Sequence, residues 1–257
     1  MDLLKKIIDD CLDDFDKHGP KPGRSYTIHI NGNTESFPVI SVPANQLILN
    51  KDNHRLSAQI EDAGLDSYNH FHTDEGQSKI ANLLKNTPQF PKLKQELKDY
   101  GQREPALITP EGLLVNGNTR CVALREIARE GSTKAENMDV AVLKKRIKTK
   151  NILDIEIDLQ MVKLTTQEYS FTNKLRMVQK ILDTGLTPKQ VGVKMGWLRK
   201  SEAKVNKHIQ MLNIIKEIRG MSKPSISYET FDRAEQIFND IYDKMKVYEN
   251  EEDYQGA

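Results

Sequence analysis

The chain has 257 residues with 38 Lys and Arg against 37 Asp and Glu, a formal net charge of +1, so any affinity for nucleic acid must come from how charge is distributed and not from its sum. That length suffices for one large domain or two or three small ones, each able to bury a core without disulfides. The only cysteines, Cys11 and Cys121, stand in no CxxC or Cys/His spacing, which gives no support to a disulfide scaffold or thiolate zinc centre and points to a reducing cytoplasm; no run reaches the ~20 apolar residues of a membrane span, and the N-terminus lacks the apolar core and cleavage site of an export signal.

Leu3, Leu4, Ile7, Ile8, Cys11, Leu12 and Phe15 recur at helical spacing among Asp9, Asp10, Asp13, Asp14 and Asp16, which predicts an acidic amphipathic helix. Its stripe suits docking on the body of the protein or on a second subunit, and its acids oppose an anionic membrane. "GPKPG" ends it, and "SYTIHI-NGNT-ESFPVISV" reads as a hairpin turning at Asn31-Gly32. Val39 to Val42 is a strand, followed by a polar connection over Asn50 to Arg55. Ser78 to Leu84 and Lys92 to Leu97 are helical in pattern, and "EPALITPEGLLVNGN" holds strands at Ala106 to Ile108 and Leu113 to Val115. Cys121, Val122, Leu124 and Ile127 resume a helical stripe, and "MDVAVL" supplies another strand.

Asn116 to Arg120 interrupts two segments that want burial. Asn-Gly alone is a common way to make a turn. A strand running through such a turn into a helix start, with an arginine beside it, is also a place for phosphate.

From Asn151 onward strand signals fade. Glu168 to Asp183 is one helix with Leu175, Val178, Ile181 and Leu182 inward. Next, Thr187 can cap a helix whose first residue is Pro188, Gly196 ends it, and Val205, Ile209 and Leu212 restart the stripe. Two short helices joined by a tight turn outline a helix-turn-helix. From Lys189 to His208 the cations Lys189, Lys194, Arg199, Lys200, Lys204 and Lys207 face the single acid Glu202, whereas Glu229 to Asp253 carries nine acids against three bases. The alternatives for the helix pair are an ordinary helical hairpin with a solvated lysine face and a DNA-binding element; the preceding tract "KKRIKTK" favours the second.

The order of these parts resembles the ParB/sulfiredoxin superfamily, and within it ParB-like partition and nucleoid-occlusion proteins. The resemblance is carried by "VPANQLILNKDNHR", "GQREPALITPEGLLVNGNTRCVAL" and "LTTQEYSFTNKLRMVQKILDTGLTPKQVGVKMGWLRKSEAKVNKHIQMLNII", and spans about Ser41 to Glu217. It implies an α+β fold: a helix and hairpin extension over 1–40, a mixed domain over 41–150, a linker helix and helix-turn-helix over 151–220, and an acidic helical tail over 221–257. By the same resemblance Gly117, Asn118, Thr119 and Arg120 match the family's Gly-Glu-Arg-Arg phosphate segment, Gly101, Glu104 and Pro105 match its Gly, Gln and Pro, and Arg103 adds charge nearby. The implied ligand is a nucleoside triphosphate, cytidine triphosphate first, with Mg2+.

Two departures bear on chemistry. Asn118 stands where the family carries an acid, and Ile157, Asp158 and Met161 stand where many members have Glu-Asn-x-x-Arg, leaving Asp158 as the candidate metal contact. Sulfiredoxin chemistry is disfavoured, because Cys121 follows Arg120 instead of preceding it and sits among apolar neighbours. His70 and His72 read either as a metal pair or as hydrogen-bonded polar residues in a connection, and Trp197 as a packing residue of the turn or, alternatively, as a residue that stacks on DNA. His54 and Arg55 correspond to the Pro-Arg end of the family's early segment, with His54 standing in place of the proline.

The function expected is a cytoplasmic, nucleoid- or plasmid-associated DNA-binding protein for plasmid partition, nucleoid organisation or transcription regulation. It contacts double-stranded DNA through Lys189, Arg199, Lys200, Lys204, Lys207 and His208, works as a homodimer, and offers its acidic N-terminal helix or C-terminal tail to a protein partner. The alternative is a nucleotide phosphohydrolase or nuclease in which Arg120 and Arg103 stabilise phosphate charge while Asp158 or Glu104 holds a metal.

Overall fold

The computed structural model describes residues 3–30, 33–52, 56–65, 68–145, 152, 155, 159, 170–197 and 199–255. The Asn31-Gly32 turn, His54, Arg55, Asp158, Met161 and the tract from Arg146 to Lys150 lie outside the described residues. The chain forms two compact units, 1–53 with 67–162 and 54–66 with 163–257.

The first unit is mixed. Helix α1 (Leu3–His18) buries Leu4, Ile8, Leu12 and Phe15, the i, i+4 rows that the acidic repeat leaves apolar. Strands β1 (Ser25–Ile30), β2 (Asn33–Pro43), β3 (Ala106–Ile108), β4 (Leu114–Asn116) and β5 (Asn137–Val142) form one sheet in the order β1-β2-β5-β3-β4. All neighbours are antiparallel except β3 and β5, which run parallel with Leu107 opposite Ala141. The N-terminal hairpin is built into this sheet, since β2 pairs with β5 from Val39 against Ala141 to Pro43 against Asn137. Ile28, Phe37, Leu107, Val115, Ala141 and Leu143 make one core, joined by Ile155 and Leu159.

Helices of this unit are α3 (Asp74–Lys85), α4 (Phe90–Tyr100) and α5 (Asn118–Arg129). Thr73 caps α3 by accepting from the Gly76 amide, and Asp74 and Glu75 lie in its first turn, where the helix dipole favours negative charge. Arg125 of α5 donates through Nε to the Ala44 carbonyl (2.9 Å) and through its terminal nitrogen to the Leu47 carbonyl (2.6 Å). These bonds hold the chain after β2 against α5.

The second unit is helical: α2 (Ser57–Asp62), α6 (Phe171–Leu182), α7 (Pro188–Lys194), α8 (Ser201–Met221), α9 (Tyr228–Asp232) and α10 (Glu235–Gln255). Its core gathers Ala58, Phe171, Leu175, Met211, Leu212, Ile215, Tyr228, Phe231 and Phe238. Helix α2, which sequence reading passed over, is fastened there by charge. Glu61 pairs with Arg176 and accepts from the Tyr228 hydroxyl at 2.9 Å. Asp62 pairs with Arg219 and accepts from the Tyr228 amide at 2.8 Å, while the Arg219 guanidinium lies 3.7 Å from the centre of the Tyr228 ring.

No described helix is long and apolar enough to cross a membrane.

Candidate functional site

In the mixed unit, α5 begins at a left-handed residue. Gly117 has φ 101°, and a Cβ added there would stand 2.7 Å from the Ala106 Cβ and 3.2 Å from the Met138 methyl. Glycine is therefore required twice, by conformation and by space. No side chain caps α5, so the first amides of the helix, from Asn118 to Arg120, keep the anion-binding character of an open N-terminus.

Asn118 is 2% exposed. Its Oδ1 accepts from the Asn50 amide at 2.8 Å, and its Nδ2 has no acceptor among the described residues. A buried donor left unsatisfied costs about 1–3 kcal/mol, so this position calls for an acceptor atom from a water or a ligand. Thr119 and Arg120 follow, both half-buried. An Arg120 nitrogen donates to the Glu104 carbonyl. Burial pushes the Arg120 pKa below its ordinary value, against the opposing fields of Glu104 and Tyr26.

A cleft of about 320 Å3 beside this arginine is lined by Leu93, Leu97, Tyr100, Gly101, Arg103, Glu104 and Arg120, with Glu96 at its wall. Four residues singled out in the sequence, Gly101, Arg103, Glu104 and Arg120, thus come together; Gly117, Asn118 and Thr119 stand at the helix start behind Arg120. The Arg103 guanidinium lies 4.8 Å from the centre of the Tyr100 ring, itself 66% exposed.

Sequence reading missed the residue that fixes this loop. Gln102 behaves as a strand partner for β5, its Nε2 donating to the Asp139 carbonyl (2.7 Å) and its Oε1 accepting from the Asp139 amide (2.9 Å). The same Nε2 reaches the Glu104 carbonyl at 2.8 Å. One amide side chain thereby holds the loop that carries Arg103 and Glu104.

Cys121 is fully buried, its thiol pushed up to about 11 by burial, an inert packing residue. The rings of His70 and His72 are 6.2 Å apart, and among the described residues no three His, Cys, Asp or Glu side chains gather as a metal site.

In the helical unit, α7 and α8 form the two-helix element. Thr187 and Gln190 make a capping box at the start of α7. Gly192 is the spacer between the helices, since a Cβ there would meet the Ser201 Cβ at 2.4 Å. The turn ends at Lys200, which opens α8 at φ 52°. A non-glycine residue in that region costs about 1–2 kcal/mol. Trp197 of the turn lies against His208 with ring centres 4.6 Å apart and the ring planes tilted by 37°.

Lys189, Arg199, Lys200 and Lys204 are exposed. Lys207 is turned to α10, where it pairs with Asp243 at 3.2 Å and lies 4.9 Å from the Tyr242 ring centre. Burial, aided by the fields of Lys174, Lys207 and Lys204, holds the His208 pKa down at about 4 against the opposing bond to the Lys204 carbonyl. The fold thus keeps this imidazole neutral at pH 7. The stability tied to its neutral form is present above the unfolded pKa of about 6.5 and is lost as pH falls toward 4.

Fold and site together define an α+β chain that joins a mixed-sheet unit with an open helix N-terminus to a helical unit in which two helices, α7 and α8, follow one another across a short turn. No protein-family model and no curated protein matches it. Among solved structures it is similar to the C-terminally truncated chromosome-partitioning protein ParB from Caulobacter crescentus complexed with CTP-gamma-S, at 12% identity and TM-score 0.31, over 70% of this chain and 83% of that one. It is also similar to the Pnob8-like ParB-N domain, at 11% identity and TM-score 0.43, over 80% of this chain and 82% of that one.

Proposed function

We propose that this chain is a ParB-like DNA-binding protein of the partition, nucleoid-organising or regulatory kind, acting as a homodimer on double-stranded DNA through α7 and α8. The observation that carries the reading is the exposure of four cations of the two-helix element, Lys189, Arg199, Lys200 and Lys204, on an element braced by the Thr187 box at its start, the Gly192 contact between its helices and the Trp197–His208 ring contact. Such cations bind phosphates without regard to sequence and position the element on the duplex. Lys207, paired to Asp243, contributes less.

Titrating duplex affinity against salt tests this. The wild-type chain is expected to lose affinity steeply with salt, and the variant with alanine at Lys189, Arg199, Lys200 and Lys204 should bind far more weakly, with a log–log slope smaller by roughly 3 to 4. Equal slopes for the two proteins overturn the assignment.

A second reading concerns the mixed unit, and the unsatisfied Nδ2 of buried Asn118 supports it. We infer a phosphate-bearing ligand, with phosphate at the start of α5 and against Arg120 and the remainder in the cleft lined by Gly101, Arg103 and Glu104. A nucleoside triphosphate suits this division, and cytidine triphosphate is the first to test. If Mg2+ accompanies it, the phosphates themselves supply most of its oxygen ligands. Calorimetry against the four ribonucleoside triphosphates, with and without Mg2+, is expected to give heat for at least one; no heat and no shift in melting temperature for any of them overturns this reading and leaves the DNA assignment standing.

A further inference from the structure

Between Glu202 and Asn213, one exposed side of α8 carries no lysine. Glu202, Asn206, Gln210 and Asn213 follow one another at spacings of four, four and three, the rhythm that places side chains along one side of a helix. Val205, Leu212 and Ile215 occupy the buried side. Glu202, Asn206 and Asn213 are exposed, Gln210 is half-buried, and Ala203 beside them is small and exposed. None of the four polar side chains makes a hydrogen bond or ion pair among the described residues.

The cations stand off this line: Arg199 and Lys200 precede the helix, Lys204, two residues from both Glu202 and Asn206, lies on another side of it, and Lys189 belongs to α7. The arrangement separates two chemistries. Ammonium and guanidinium groups suit phosphate and carry no sequence information, whereas amides and carboxylates suit base edges. A side-chain amide can donate to adenine N7 and accept from its N6 amino group at once, and a carboxylate can accept from the N4 amino group of cytosine. Glu202 is the informative member, because a carboxylate set in sequence between exposed Arg199 and Lys200 and exposed Lys204 opposes phosphate binding unless it faces amino groups in the groove. Its place in the first turn of α8 also suits the helix dipole, so the test must separate stability from sequence preference.

We propose that Glu202, Asn206 and Gln210 are the base-reading strip of this protein, selecting amino-bearing edges, adenine opposite the two amides and cytosine opposite the carboxylate, in the major groove of duplex DNA. From Glu202 to Gln210 the helix rises about 12 Å, the span of three to four stacked base pairs at ~3.4 Å each. Asn213, a turn further along, lies beyond that reach and serves as the control position. This inference rests on the DNA-binding reading.

The experiment is selection of binding sites from a randomised duplex pool by the full chain, followed by affinities for the selected and a scrambled duplex. Wild type is expected to enrich a short motif containing adenine and cytosine. Asn206→Ala and Gln210→Ala should each reduce the ratio of selected to scrambled affinity by roughly 5- to 150-fold, the worth of one bidentate contact, with scrambled affinity and melting temperature unchanged. Glu202→Gln should shift the preference at one position away from cytosine, and Asn213→Ala should leave the motif intact. If the variants keep the wild-type motif, or wild type enriches no motif while binding every duplex equally, the strip is overturned and the DNA-binding reading survives. Absence of duplex binding by wild type overturns both.

Discussion

Both candidate sites sit where a helix begins on a left-handed residue, and the two beginnings are made differently. At α5 the residue is Gly117, with φ 101° and no room for a Cβ beside Ala106. At α8 it is Lys200, with φ 52° and an exposed side chain. The first start is pinned into the core of the sheet, so packing dictates glycine and the functional groups must come from the backbone and from Asn118. The second faces solvent, where nothing but intrinsic strain opposes a side chain, and the position carries a cation. Backbone strain at Lys200 coincides with the surface proposed to meet DNA, as strained residues often coincide with working surfaces.

The contrast breaks first at Gly117. Gly117→Ala is expected to destabilise the mixed unit by about 2 to 4 kcal/mol, from an unfavourable φ together with overpacking against Ala106 and Met138. Hydrogen exchange of the α5 amides reads this directly, and protection unchanged from wild type contradicts the packing argument.

Arg120→Ala probes the same start without emptying a core. If its guanidinium meets phosphate, triphosphate affinity measured by calorimetry falls by about 1.5 to 3 kcal/mol. Arg120→Lys should recover only part of that, because an ammonium lacks the planar fork. Full affinity in the alanine variant moves the phosphates away from this arginine.

The smallest effect, and the one that most sharpens the comparison, is Lys200→Gly. Relief of left-handed strain exceeds the flexibility added to the unfolded chain, so stability should rise by about 0.5 to 1 kcal/mol, while the salt slope of DNA binding falls by about one. A variant that is both less stable and equally tight on DNA would show that Lys200 is there for neither reason.

Much of this architecture is legible in the chain itself because it is local. The apolar rows of α1, the strands at Ala106 and Leu114, the capping residue Thr187 and the stop at Gly196 all announce themselves within a turn or two. What was not legible depends on residues far apart. Helix α2 is six residues long and has too few apolar positions to show a period; its place is set by Arg176, Arg219 and Tyr228, more than a hundred positions away. Gln102 looks like any polar loop residue until Asp139 is beside it. Asn118 reads as a turn residue, and its burial follows only from the chain around Asn50 folding over it. Lys207 belongs by sequence to the cationic run, yet Asp243 takes it out of the free surface. The amide line on α8 was visible as spacing, but lysines draw attention first, and only exposure shows which polar residues share a face.

The placement of α2 also has a consequence in time. Glu61 is 115 residues from Arg176, and Asp62 is 157 residues from Arg219. During synthesis at about 5–20 residues per second, the segment therefore leaves the ribosome roughly 6 to 30 s before the groups that hold it. Six residues cannot sustain a helix alone in water. The nascent chain must carry this acidic stretch unpaired while the strands that precede and follow it in the chain are made, and the helical unit closes only when the arginines and Tyr228 have emerged.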